Sequence, residues 1–243
     1  MAVFRNFSII LILAILGGCA SKGASPEDPW EGWNRKVYDF NKSVDKNIAK
    51  PVTKGYKAIT PDFVETGVSN VFSNLGDIPN FLNNFLQGKP VDSISDLTRF
   101  VVNSTIGIVG LWDPASKMGL EKHDEDFGQT LATWGVEKGP YVMLPFLGPS
   151  TLRDTVAYPV DNYTDLVGHI DHVPTKNQLR ILNLVDQRAA IMAFEEQLES
   201  ASDEYLFVRD VYLQNRKYKV FDGEIPLDDD FGCEEEDEED CDF

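Results

Sequence analysis

Apolar residues recur at spacings of three and four along most of the chain, a period that predicts helices. Trp30, Trp33, Val37, Phe40, Val44 and Ile48 form the first such stripe. Asp28 stands where a cap belongs, Pro29 suits the first helical position, and Glu31 follows the cap by three residues. Pro51 then ends or bends this helix. A second run, from about Pro61 to Leu75, carries Phe63, Val64, Val68, Val71 and Phe72. A third aligns Ile78, Phe81, Leu82, Phe85 and Leu86, and Gly88 and Pro90 close it. Toward the C-terminus, Leu179, Leu182, Val185, Ala189, Met192 and Phe194 outline one helix; Tyr205, Val208, Tyr212 and Tyr218 mark another. Period-two alternation is nearly absent, so the expected class is all-α. One domain spans residues 30–223, long enough for a sizeable core and without internal repeats.

Two segments break the pattern. Phe100 to Trp112 reads FVVNSTIGIVGLW and holds no charge. As a helix it reaches ~20 Å, too short for a ~30 Å bilayer core, yet it is more apolar than a water-facing helix needs to be. The stretch GVEKGPYVMLPFLGPSTLRD is crowded with Gly and Pro yet strongly apolar, which predicts irregular backbone in an apolar setting. Between them, Asp113 to Gly128 is polar and reads as a loop.

The N-terminus changes the picture. Arg5, the uninterrupted apolar run Ile9 to Leu16 and the small residues Gly17 and Gly18 make residues 1–18 a secretory signal peptide. Leu16-Gly17-Gly18-Cys19 resembles a bacterial lipobox, whose cysteine receives diacylglycerol and becomes the first residue after cleavage. Residues 19–29 then form an acylated tether, and several acyl chains make such an anchor effectively permanent. Ala20 in place of Asp points to the outer membrane.

The formal net charge of −18 argues against nucleic acid and against electrostatic docking on anionic lipid. Much of it sits in the tail: Asp222 to Phe243 contains thirteen acids and no base. Residues 224–243 read as a self-repelling, disordered end. Cys233 and Cys241 in that tail suit either a disulfide in an oxidising periplasm or two free thiols.

Signals for catalysis are sparse. The chain has no G-x-S-x-G, no phosphate-cradling Gly-rich loop and no H-E-x-x-H. His169 and His172 are spaced for one helix face, but without the flanking ligands of a zinc site they read as a solvated or hydrogen-bonded pair. His123 beside Asp124, Glu125 and Asp126 reads as part of a polar loop. No enzyme activity, metal or cofactor is expected. By hydropathy alone the apolar segments pack on one another; an acyl anchor opens a second possibility, apolar faces turned to lipid.

NRKVYDFNKSVDKNIAKPV, NLGDIPNFLNNFLQGKPVDSISDLTRFVVNSTIGIVGLWDPAS and FGQTLATWGVEKGPYVMLPFLGPSTLRDTV, with the later RAAIM and SDEYLFVRDVYLQNR, resemble the MlaA/VacJ family of outer-membrane lipoproteins. The resemblance covers about residues 30–223; the acidic tail departs from it. It implies a flat helical ring in one membrane leaflet, surrounding an amphipathic pore. Mislocalised phospholipid leaves the outer leaflet through that pore for a soluble periplasmic MlaC-like carrier, and the ring associates with trimeric porins. A structural lipoprotein that braces porins without moving lipid is the alternative.

On this reading the pore or membrane candidates are Phe40, Asn41, Phe81, Leu82, Phe85, Asn103, Ser104, Thr105, Ile106, Ile108, Leu111 and Trp112. Asn103, Ser104 and Thr105 are expected to be paired or to face the pore, because burying such groups unpaired costs ~1–3 kcal/mol each. FVVNSTIGIVGLW becomes a helix in one leaflet. Asp113, Pro114, Lys117 and His123 belong to a gate or to a plain connecting loop. Cys19 is the lipid attachment site.

Overall fold

The computed structural model describes residues 25–224. The signal peptide, Cys19 and the Cys233–Cys241 pair lie outside the described residues, as does the acidic tail apart from Glu224. Helices dominate, as the periodicity predicts. Helix α1 (Glu31–Val44) passes through a π-helical turn (Asp45–Ala49) into α2 (Lys50–Ile59). Pro51 therefore does not end a helix; it sits at the second position of α2, directly after the π-helical turn that interrupts the regular ladder. Nor does Asp28 cap α1. It is fully buried, accepting hydrogen bonds from Asn34 Nδ2 (2.7 Å) and the Tyr205 hydroxyl.

The two apolar runs of residues 61–88 fuse into one helix, α3 (Asp62–Leu86), with Pro79 inside it. After Gly88, at φ 79°, α4 (Pro90–Thr105) folds back along α3. The two helices lie antiparallel: Ser93 and Asp96 meet Phe81 and Asn84 near the turn, and Ser104 meets Asn74 farther from it.

FVVNSTIGIVGLW is not one helix. Its helical part stops at Thr105, and Ile108, Val109 and Gly110 take φ values of 53°, 57° and 84°. Consecutive left-handed residues cannot continue a right-handed helix. Gly110 is required there twice over, since a Cβ would also stand 2.9 Å from Asn74.

Asp113 to Gly128 includes a short helix, α5 (Pro114–Lys117), capped by Asp113, and runs into α6 (Phe127–Thr133). The Gly/Pro-rich apolar stretch is more regular than expected. It forms an antiparallel hairpin, β1 (Tyr141–Leu144) and β2 (Gly148–Thr151), with Tyr141 opposite Thr151 and Leu144 opposite Gly148. Helices α7 (Leu152–Thr164), α8 (Val173–Ile191), α9 (Glu195–Ser200) and α10 (Glu204–Val220) complete the described chain.

The apolar core is small. Val37, Tyr141, Met143 and Tyr205 form it, joining α1, β1 and α10, with Tyr38, Leu206, Val208, Tyr212 and Leu213 packed around them. Among the described residues, buried polar and charged side chains outnumber buried apolar ones, and many large apolar side chains are exposed. No described helix is long and apolar enough to cross a membrane.

Candidate functional site

The inversion is sharpest in the α3–α4 hairpin. Asn74, Asp77, Asn80, Asn83 and Asn84 on α3 are buried, as are Ser93, Asp96, Arg99 and Asn103 on α4. Their spacing of three and four residues places them on one face of each helix. Phe63, Val64, Leu82, Phe85 and Leu86 on α3, and Val91, Ile94, Leu97 and Val101 on α4, are exposed. The hairpin is polar within and apolar without.

The polar seam is held by hydrogen bonds. Asn84 Nδ2 donates to Asp96 Oδ2 (2.8 Å), and Asn74 Nδ2 donates to Ser104 Oγ (3.0 Å). The Thr130 hydroxyl of α6 donates to Asn83 Oδ1 (2.8 Å). Such bonds matter because an unpaired buried polar group costs ~1–3 kcal/mol. Asn74 Oδ1, Asp77 Oδ2 and Asn84 Oδ1 are nevertheless buried acceptors without a protein partner.

The segment from Asp113 to Glu125 is strapped across this seam. Arg99, essentially inaccessible, donates through Nη1 to Ser116 Oγ (3.0 Å) and the Leu120 carbonyl (2.6 Å), and through Nη2 to Asp113 Oδ2 (3.0 Å). Asn103 donates to Asp113 Oδ1 (2.9 Å) and accepts from the Ala115 N–H (3.0 Å). Lys122 reaches the Ser73 carbonyl (2.7 Å) and Asp77. His123 Nδ1 lies 2.8 Å from Asp96 Oδ1, and its carbonyl accepts from Asn80. Burial works against the Asp113 charge, but hydrogen bonds from Ser116, Asn103 and Arg99 hold its carboxyl well below the usual range.

The predicted residues divide accordingly. Asn103 and Ser104 are paired within the seam, whereas the Thr105 hydroxyl donates to the Val101 carbonyl of its own helix (2.7 Å). Leu82, Phe85, Ile106, Ile108, Leu111 and Trp112 are exposed, and Phe81 is half-buried. The turn bearing Leu111 packs on α3, where Asn70 donates to the Leu111 carbonyl (3.0 Å). Pro114 opens α5 and Lys117 ends it, exposed. Phe40 and Asn41 lie elsewhere, against the β-hairpin. Asn41 donates to the Leu144 carbonyl (2.9 Å) and accepts from the Phe146 N–H (2.8 Å). Phe40, partly exposed, meets Phe146 edge-on at 5.0 Å. His169 and His172 are hydrogen-bonded locally, to the Asp165 carbonyl and to Thr175.

Arg99, Asp77, Asp96 and the asparagines of α3 escaped the sequence reading. The signal was present: Asn70, Asn74, Asp77, Asn80 and Asn84 repeat at three and four, alongside the apolar stripe that drew attention instead. A second charged centre joins α10 to α6 and α7. Arg216 bonds both carboxylate oxygens of Asp126 and, at 2.9 Å, Asp154 Oδ1, while the Tyr212 hydroxyl donates to Asp154 (2.9 Å).

Residues 26–219 match the family described as MlaA lipoprotein. The chain is 33% identical over 228 residues to the intermembrane phospholipid transport system lipoprotein MlaA of Escherichia coli (strain K12), covering 91% of this chain and 90% of that one. It is likewise 33% identical over 195 residues to an uncharacterised protein of Rickettsia typhi, covering 79% and 78% of the two chains. A solved structure from work on the structural basis for maintenance of bacterial outer membrane lipid asymmetry superposes with a TM-score of 0.70. That chain is 32% identical, and the match covers 79% of this chain and 98% of that one.

Proposed function

Since the chain belongs to the MlaA lipoprotein family, we propose that it withdraws mislocalised phospholipid from the outer leaflet of an outer membrane and passes it to a soluble MlaC-like carrier. Cys19 carries the anchor, residues 19–29 tether the helical domain on the periplasmic side, and the domain lies as a ring in one leaflet beside a trimeric porin. Lipid asymmetry is thereby maintained without a covalent step.

The observation that carries this reading is the inverted burial of the α3–α4 hairpin. A phospholipid passing between leaflets needs a polar path for its headgroup and an apolar surface for its tails. Exposed Phe85, Leu97 and Val101 suit acyl chains. The asparagine-rich seam, with its unpartnered acceptors, suits a wet interior beside them. Non-helical backbone at membrane depth is tolerated where it is buried in protein or lines a wet cavity. The strap bearing Asp113, Pro114, Lys117 and His123 gates the passage, held shut through Arg99, Lys122 and Asp96. The name of the Escherichia coli relative supports the same reading.

Deletion of the gene is expected to raise phospholipid in the outer leaflet and to sensitise cells to detergent with a chelator; unchanged surface phospholipid contradicts transport. Purified protein in vesicles is expected to release labelled phospholipid to the carrier. Failure of that transfer, with the porin still bound, favours a bracing lipoprotein instead.

A further inference from the structure

We propose that the tip of the β1–β2 hairpin is a second, separate lipid contact, an aromatic wedge seated in the bilayer surface beside the acyl anchor. From Tyr141 to Thr151 the chain carries no charged residue. At the tip Phe146 and Leu147 are 74% and 54% exposed, a poor arrangement for water and a good one for the boundary between headgroups and acyl chains. Trp33, seven residues before Phe40 and so on nearly the same face of α1, is exposed as well.

The tip is held, not loose. Phe146 has φ 65°, a left-handed conformation that a bulky residue rarely takes. Asn41 fixes it by bonding the Leu144 carbonyl and the Phe146 N–H, and Phe40 supports the ring edge-on. Strain of this kind persists where surrounding contacts over-determine it, and it is spent here on presenting an aromatic ring outward.

What chooses lipid over a protein partner is the short length of chain between the base of the hairpin and Cys19. The Tyr141 N–H donates to the Glu27 carbonyl (2.8 Å), so the base of the hairpin is fastened to the chain eight residues after Cys19. Eight residues reach at most about 28 Å when fully extended. The proposal rests on the reading of Cys19 as an acylated anchor. It adds a contact distinct from the α3–α4 face.

The test uses the full acylated chain with Cys233→Ser and Cys241→Ser. An environment-sensitive fluorophore is placed on Leu147→Cys, and in a second preparation on Val101→Cys of α4. The vesicles contain phosphatidylethanolamine and phosphatidylglycerol, with or without doxyl-labelled lipid. The expected result at 147 is blue-shifted emission, several-fold stronger quenching by doxyl lipid than by aqueous iodide, and the same from a Phe146→Cys label. Iodide quenching without doxyl quenching overturns the wedge. Protection from both quenchers overturns it too, because the tip is then covered by protein. The Val101 label separates the two readings: doxyl quenching there but not at 147 removes the wedge alone, and none at 101 removes the membrane-face reading itself.

Discussion

Asp161 of α7 accepts a hydrogen bond from the Phe127 N–H (2.7 Å), yet burial, with Asp126 nearby, pushes its carboxyl up to about 6. The unfolded value is about 3.9, so between these pH values the native state holds the extra proton. Stability conferred by that proton is present below pH ~4 and is lost as pH rises through ~6. Asp161→Asn keeps an acceptor for Phe127 and removes the charge. It is expected to raise the unfolding temperature by a few degrees at pH 7.5, or on the order of 1 kcal/mol after solvent screening, with the gain vanishing near pH 4. A pH-independent difference in thermal melts contradicts this account. Single residues were unevenly legible. Asn103 is expected to be paired or to face the pore, and its amide is hydrogen-bonded to Asp113 and to the Ala115 N–H. Asp28 was misread because a cap and a buried carboxylate look alike until Asn34 and Tyr205 are brought to it.

At the scale of elements, the strap over the hairpin depends on Arg99 more than on its own helix, since α5 is a single turn. Arg99→Met removes the side-chain donor of the Leu120 carbonyl and of Ser116 Oγ, and strips from Asp113 its cationic partner while Asn103 and Ser116 still donate to it. Breaking a fully buried pair from one side costs ~3–5 kcal/mol; Asp113 is partly exposed, so the loss is smaller than that and falls on the strap first. The expected outcome is faster tryptic cleavage after Lys117 and Lys122 with the far-ultraviolet circular dichroism preserved; unchanged cleavage rates contradict the strap. Helices were legible from period alone, as in α8 and α10, but two kinds of boundary were not. The fusion of α3 across Pro79 depends on tertiary packing, which overrides a breaker. The end of α4 at Thr105 depends on left-handed Ile108 and Val109, and β-branched residues give no sign of that conformation in a sequence. The hairpin was hidden for a related reason, because Phe146 stands in a turn where glycine is expected.

For the whole molecule, the decisive property is where polarity lies, and a sequence alone leaves that sign open. An apolar stripe and a polar stripe on the same helix specify its two faces without saying which one is covered. Charge on the outer faces tests the assignment. Phe85→Glu and Val101→Glu are expected to leave unfolding in detergent within about 0.5 kcal/mol of the parent, since neither side chain is buried. Association with vesicles and transfer of labelled phospholipid are expected to fall together. A large loss of stability in detergent instead returns these residues to a packed core. The same inversion bears on the life of the protein before it reaches its membrane. An outward apolar band that suits acyl chains is, in water, a surface for self-association. Molecules with an uncovered α3–α4 face are therefore expected to clump in water before they unfold, seen as concentration-dependent light scattering below the melting transition once detergent is removed.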